Sequence, residues 1–386
     1  MWYFDAPHIV YGEDALTHLE TLKGRRALIV TDANMVRLGF AAQVEAALHK
    51  AGMETAVFAE VEPDPSLQTA RRAAERAHAF APDWIVGLGG GSCLDAAKAC
   101  WVLYENPEMD PAAINPVEDL TLRAKARMVA IPTTIGTGSE ATWAIVLTDT
   151  EAQCKLGLGS RENLPDLAIL DPRFVADLPP QIAADTGMDA LTHAVEAYTN
   201  TWHNDFTDGL ALQAVRLIFA HLPAAYRGDA AARERMQVAA CLAGMACSNS
   251  LFALAHSLGH ALGAAFHLPH GRCVGLFLPY TVEFSVRGPE PTRYGDIARA
   301  LGLPADTEAE GAVNLVEAIR RLAREIGQPL TLHDMGIGEA QLEAHLDLLV
   351  DHAEADSQTI TSVRVPTTEE FRSLFRCAYA GRPVDF

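Results

Sequence analysis

Two patterns of apolar positions divide the chain. In the first, short unbroken apolar runs alternate with stretches of helical period. Residues 27–31, 55–59, 84–88 and 128–131 are aliphatic and β-branched and read as strands buried on both faces. Residues 38–52, 66–80 and 92–103 repeat apolar positions every three or four residues and read as helices. Strands and helices in alternation imply a parallel sheet covered on both sides, with right-handed crossovers. The second pattern begins after Pro179-Pro180. From residue 181 to about 287 the chain is rich in Ala and Leu at helical period, and 293–302, 312–327, 339–354 and 367–380 continue it. The expectation is a dinucleotide-binding α/β domain over residues 1–180 and an all-helical domain over 181–386. Residues 107–116, rich in proline, read as a surface connection.

Composition narrows the function. The 386 residues are 49% hydrophobic and 21% charged, as in a folded globular chain of more than one domain. The net charge of −20 repels phosphate backbones and anionic lipid, so nucleic-acid and membrane roles are disfavoured. Seven scattered cysteines include no Cys-x-x-Cys pair and read as reduced thiols. No basic segment precedes an apolar run at the start, and no apolar stretch approaches the roughly 20 residues of a membrane span. A cytoplasmic location is expected.

Three groups of residues carry chemistry. Gly89-Gly90-Gly91-Ser92 follows the third strand and opens a helix. Glycines let a backbone approach an anion, and a helix start offers unpaired N–H groups, so this turn suits a pyrophosphate. It matches neither Gly-x-Gly-x-x-Gly nor a Walker loop. Asp32, at the end of the first strand, can accept the hydroxyls of an adenosine ribose and repel a 2′-phosphate, or it can simply cap a helix. A polar turn from Pro132 through Thr133 and Thr134 to Glu140 follows the fourth strand, and ligands bind outside such strand ends.

The third group lies in the helical half. Asp189 and His193 are four apart, as are His256 and His260, and His270 follows in Pro269-His270-Gly271. Residues four apart share a helix face, so two helices and a loop carrying His270 would converge these side chains. One carboxylate with imidazoles suits a divalent transition metal. Spacing alone leaves all five as candidate ligands. His267 reads as a solvent-facing loop residue.

Taken together, Gly89 to Lys98, the turn from Pro132 to Glu140, and the Asp189 to His270 constellation resemble the iron-containing (group III) alcohol dehydrogenases over nearly the whole chain. The resemblance implies a Rossmann-like α/β domain plus an all-α domain, the dehydroquinate synthase-like two-domain fold. It implies a nicotinamide cofactor and one metal, Fe²⁺ with Zn²⁺ as the alternative. It assigns the metal to Asp189, His193, His256 and His270, and leaves His260 as a candidate proton carrier. It assigns cofactor contacts to Gly90, Gly91, Ser92, Asp95, Thr133, Thr134, Thr142 and Lys155. Asp32 matches the acid that favours NAD(H).

Pro63-Asp64-Pro65 departs from the family, which often has Asn between these prolines; Asp64 would add a negative charge near the adenosine and further disfavour NADP. The implied reaction is reversible hydride transfer between NAD and a small primary alcohol or diol. The alternatives are a glycerol or polyol dehydrogenase, a dehydroquinate synthase-like enzyme on the same scaffold, or a non-catalytic nucleotide- or metal-binding protein. Trp143, Leu251, Phe252 and Phe266 are candidates for an apolar substrate wall. A homo-oligomer is expected, a dimer above all, with Trp2-Tyr3-Phe4 able to pair as a strand or dock on its own domain.

Overall fold

The computed structural model describes residues 3–117, 119–152 and 154–386. Met1 and Trp2, the latter part of the expected N-terminal contact, lie outside the described residues. The chain divides into two units, Met1–Leu178 and Pro179–Phe386.

The first unit is built on β1 (His8–Tyr11), β2 (Arg26–Val30), β3 (Glu54–Phe58), β4 (Trp84–Gly89), β5 (Arg127–Pro132) and β8 (Leu167–Leu170). They form one parallel sheet in the order β1-β8-β5-β4-β2-β3. Alternation of side chains across the strands explains the unbroken apolar runs. Ile29, Val86, Val129 and Ile169 pack into one core with Leu16, Leu19, Val44 and Leu48. Leu28, Ile85, Met128 and Ala130 pack into another with Ala73, Leu94, Ala97 and Trp101. The antiparallel pair β6 (Ala144–Asp149) and β7 (Cys154–Gly159) stands apart from this sheet.

Four of these strands escaped the sequence reading. β1 and β8 have only four residues each, and β1 is an edge strand with both ends exposed. The β6–β7 pair carries a mixed, half-buried pattern rather than a full apolar run. The helix expected over 38–52 is α2 (Phe40–Lys50), which starts after Gly39 at φ +74°; a short helix before it, α1 (Ala33–Arg37), was not expected. α3 (Leu67–Phe80), capped by Ser66, and α4 (Gly91–Glu105) complete the unit.

Strand order has a functional consequence. From β2 the chain moves outward to β3 on one side, then returns to β4 and continues to β5 and β8 on the other. The switch point lies between β2 and β4, where ligands of open α/β sheets bind beyond the carboxyl ends. Asp32 follows β2, and the glycine turn follows β4.

The second unit contains α5 (Pro180–Thr199), α6 (Asp205–Tyr226), α7 (Ala230–Ser250), α8 (Leu254–Phe266), α9 (His270–Ser285), α10 (Tyr294–Ala300), α11 (Glu308–Glu325), α12 (Glu339–Ala355) and α13 (Thr368–Ala380). Leu258, Leu262, Phe277, Leu346, Phe371 and Phe375 form the core joining α8, α9, α12 and α13. His267 is the left-handed end of α8, at φ +53°, and faces solvent. His270 is the first residue of α9 and not, as expected, part of a loop. Among the described residues, no single helix is long and apolar enough to cross a membrane.

Candidate active site

Three helices assemble the metal candidates. The i, i+4 spacing on α5 puts Asp189 and His193 on one buried face, where Asp189 Oδ1 lies 3.3 Å from His193 Nε2. α8 brings His256, whose ring stacks on that of His193 at 4.9 Å between centroids. α9 brings His270, with Nε2 3.4 Å from the same Asp189 oxygen. One ligand atom from each of Asp189, His193, His256 and His270 can be chosen so that all lie within 4.8 Å of one another.

Close helix contact makes this possible. A Cβ on Gly271 would meet Asp185 O at 2.3 Å and Asp189 Cβ at 3.0 Å, so only glycine lets the start of α9 reach α5. Arg272 then clamps the two helices by a fork onto Asp185, at 3.0 and 2.9 Å.

The electrostatics fit a cation. Asp189 Oδ1 and His256 Nε2 are buried without a hydrogen-bond partner, a costly arrangement that a bound ion would account for. Burial pushes His193 down to about 4, partly opposed by Asp189, and pushes His256 well below its usual value, with His270 and His260 adding to the effect. Both rings are therefore neutral and carry a lone pair for a metal. Burial alone would raise the Asp189 carboxyl, but positive charge at the neighbouring His193, His270 and His256 pulls it below its usual value, and a bound cation would supply that charge where the rings are neutral. Oxygen and nitrogen donors of this number suit Fe²⁺ or Zn²⁺.

The cluster opens on one side. The side chains of Asp189 and His193 are 3% and 5% exposed, whereas His260 and His270 reach 20% and 33%. His260 stacks on His270 at 5.1 Å, and its Nδ1 is 2.7 Å from Asp356 Oδ2. Burial raises the Asp356 carboxyl, but the hydrogen bond from His260 reverses this and holds it low. Phe252 lies 4.4 Å from the His256 ring and 5.2 Å from that of His193. Of the other expected wall residues, Leu251 adjoins Phe252, Phe266 packs on His345, and Trp143 belongs to the first unit.

Two carboxylates here were missed in the sequence. Glu196 accepts from His256 Nδ1 at 2.5 Å and from the amides of Ala253 and Ala255. Burial pushes its carboxyl up to about 7 against the pull of those amides. Its position three residues after His193, on the same helix face, was a usable signal. Asp356 offered none, because it stands 96 residues from His260.

In the first unit, the expected cofactor residues fall into three sets. Asp32, Gly90, Gly91, Ser92, Thr133 and Thr134 lie at the carboxyl ends of β2, β4 and β5. Gly90 is the N-cap of α4 and offers no side-chain cap, which leaves a helix start open to an anion. A Cβ on Gly90 would come within 3.1 Å of the Thr134 methyl, and Thr134 Oγ1 is buried without a partner. An uncapped helix beside an orphaned hydroxyl fits a phosphate-bearing ligand. Asp32 does cap α1, accepting from the amides of Asn34 and Met35, while its other oxygen is 3.4 Å from Cys93 Sγ.

Asp95 and Thr142 form the second set, inside a buried network. Ser139 Oγ and the Val146 amide donate to Asp95, and the fully buried Lys98 donates to Ser139, Thr142 and the Ala144 carbonyl. Lys155 and Asp64 are the third set, paired at 2.7 Å. Asp64 was expected to add negative charge near the adenosine, and Lys155 offsets part of that charge.

A model described as iron-containing alcohol dehydrogenase matches residues 6–172, and one described as the Fe-containing alcohol dehydrogenase family, C-terminal, matches 183–379. An NADPH-dependent butanol dehydrogenase of Clostridium saccharobutylicum is 41% identical, covering 100% of both chains. A 1-propanol dehydrogenase of Salmonella typhimurium is 36% identical over 94% of this chain and 95% of its own. The solved structure of an iron-containing alcohol dehydrogenase from Thermococcus thioreducens superposes with a TM-score of 0.90 at 31% identity, covering 99% of this chain and 100% of that one.

Proposed function

The chain belongs to the iron-containing alcohol dehydrogenase family, and from that premise we propose that it interconverts a small primary alcohol and its aldehyde using NAD(H). The observation that carries the proposal is the convergence of Asp189, His193, His256 and His270 around buried, unpartnered donor atoms. These four residues would hold Fe²⁺, with Zn²⁺ the alternative that such donors bind more tightly. A divalent ion there supplies Lewis acidity to the alcohol or carbonyl oxygen. The nicotinamide supplies the hydride acceptor.

The chain's own residues do the rest. Asp189 offsets part of the cation's charge, and the rings of His193, His256 and Phe252 wall off water on the buried side. Asp356 holds the His260 proton on Nδ1, which leaves Nε2 to receive the substrate's hydroxyl proton on the exposed side. The start of α4, Ser92 and Thr134 would bind the cofactor phosphates, with Thr133 beside them. Asp95 and Thr142 shape that loop from within through Lys98.

We propose NAD over NADP because the Asp32 carboxylate stands at the switch point. The butanol dehydrogenase relative is named for NADPH, so the preference is a property to measure on this chain. A sugar-phosphate lyase reading is weaker: Arg272, the cation nearest His270 in sequence, is committed to Asp185 by both fork bonds. The test is a panel of short alcohols, diols and aldehydes assayed with each nicotinamide. Alcohol-dependent NADH formation is expected, and turnover of polyols alone would move the assignment to a polyol dehydrogenase.

A further inference from the structure

Glu196 is outside the ligand set, yet three donors converge on it. It leaves the same face of α5 as Asp189 and His193, seven and three residues on. Its Oε2 accepts from His256 Nδ1 at 2.5 Å and from the Ala253 amide at 2.8 Å, and Oε1 accepts from the Ala255 amide at 2.6 Å. The N-cap position of α8 is Ala253, which has no side chain able to cap the helix. A carboxylate from α5 therefore caps α8 and takes hold of its first histidine.

We propose that Glu196 is a positioning residue for the metal centre, acting through His256. A neutral imidazole carries one ring proton, and an acceptor at Nδ1 places that proton there. Nε2 then keeps its lone pair, and this is the buried atom that lacks a partner. Charge supports the same role. A divalent ion with Asp189 as its one anionic ligand would leave a net positive charge in a buried site, and Glu196, hydrogen-bonded to the His256 ring, is the carboxylate placed to balance it. Its two backbone bonds fix the carboxylate, so neither the orientation of the ring nor its distance depends on a mobile side chain.

The inference rests on the metal reading above, and cobalt(II) titration of metal-free protein, followed by visible absorption, separates the two. Wild type is expected to take up one cobalt per chain. Glu196→Gln keeps the shape but removes the charge and one acceptor, and should bind cobalt about 10–100-fold more weakly with an altered spectrum. A folded Glu196→Gln protein with wild-type affinity and spectrum would overturn the proposal, since a purely structural cap would change only the thermal stability. If Gln prevents folding, Glu196→Asp, which withdraws the acceptor by one methylene, is read against the same two outcomes. Failure of the unmodified protein to bind one cobalt would overturn the metal centre itself.

Discussion

Gly271→Ala probes how the site is assembled. Gly271 follows His270 at the start of α9, and an added Cβ would lie 2.3 Å from Asp185 O, 2.9 Å from Asp185 C and 3.0 Å from Asp189 Cβ. Carbon–oxygen contacts of this kind settle near 3.3 Å, so the start of α9 must retreat by about 1 Å. The obstructing atoms are largely α5 backbone, which cannot swing aside like the tip of a side chain. His270 is the adjacent residue, so its 3.4 Å approach to Asp189 opens by a similar amount. Overpacking of a core costs about 1–3 kcal/mol, and about 1 Å of misplacement in a catalytic group costs about 100-fold in rate. The assay is kcat/KM for alcohol oxidation, measured with metal content per chain and Tm. The expected result is a loss of about 100-fold, less metal retained and a lower Tm. Wild-type metal content with kcat/KM within about twofold would refute the close-contact argument.

Other perturbations separate the parts of the account. Asp32→Gly removes a charge that would face a 2′-phosphate, so the ratio of NADP to NAD kcat/KM should rise by about tenfold, from roughly 1–4 kcal/mol of repulsion. Glycine still caps a helix tolerably, so stability should change by only a few tenths of a kcal/mol, and an unchanged ratio removes Asp32 from the ribose contact. Thr134→Val replaces an orphaned hydroxyl by a methyl of the same shape. Thermal stability should hold or improve while KM for the cofactor rises several-fold; an unaltered KM would exclude Thr134 from that site. In metal-free protein, burial pushes His193 down to about 4, whereas the unfolded chain protonates it near 6.5. Between those values the unfolded state binds the extra proton, so His193 costs stability increasingly as pH falls from about 6.5 toward 4. The Tm of wild type measured against that of His193→Leu should therefore decline across this window, and a constant difference contradicts the assignment.

Much of the fold was legible because its signals are local. Strands β2, β4 and β5 are almost wholly buried, and their unbroken apolar runs announced them; β3, at the sheet edge, is only half-buried but keeps an apolar run over 56–58. β1 and β8 are too short for such a run, and the five residues of α1 are too few to show a helical period. Pro269-His270-Gly271 reads locally as a turn, yet proline is compatible with a helix start, and Gly271 is there for contact with α5. The metal candidates were readable from spacing on two helices. Their partners mostly were not: Lys155 reaches Asp64 across 91 residues, and Lys98 reaches Ser139 across 41. Such pairs depend on which elements the fold makes neighbours. Glu196 is the exception, since its helical offset from Asp189 and His193 places it on their face.

The central claim is that the Asp189, His193, His256 and His270 cluster holds the metal on which alcohol oxidation depends. The most direct measurement is an anaerobic titration of metal-free protein with Fe²⁺, following NADH formation from a short primary alcohol. Activity should start near zero, rise linearly and break at one metal per chain, and His256→Ala should neither retain the metal nor recover. Full turnover in metal-free protein, or a His256→Ala protein with both full metal content and full turnover, would contradict it.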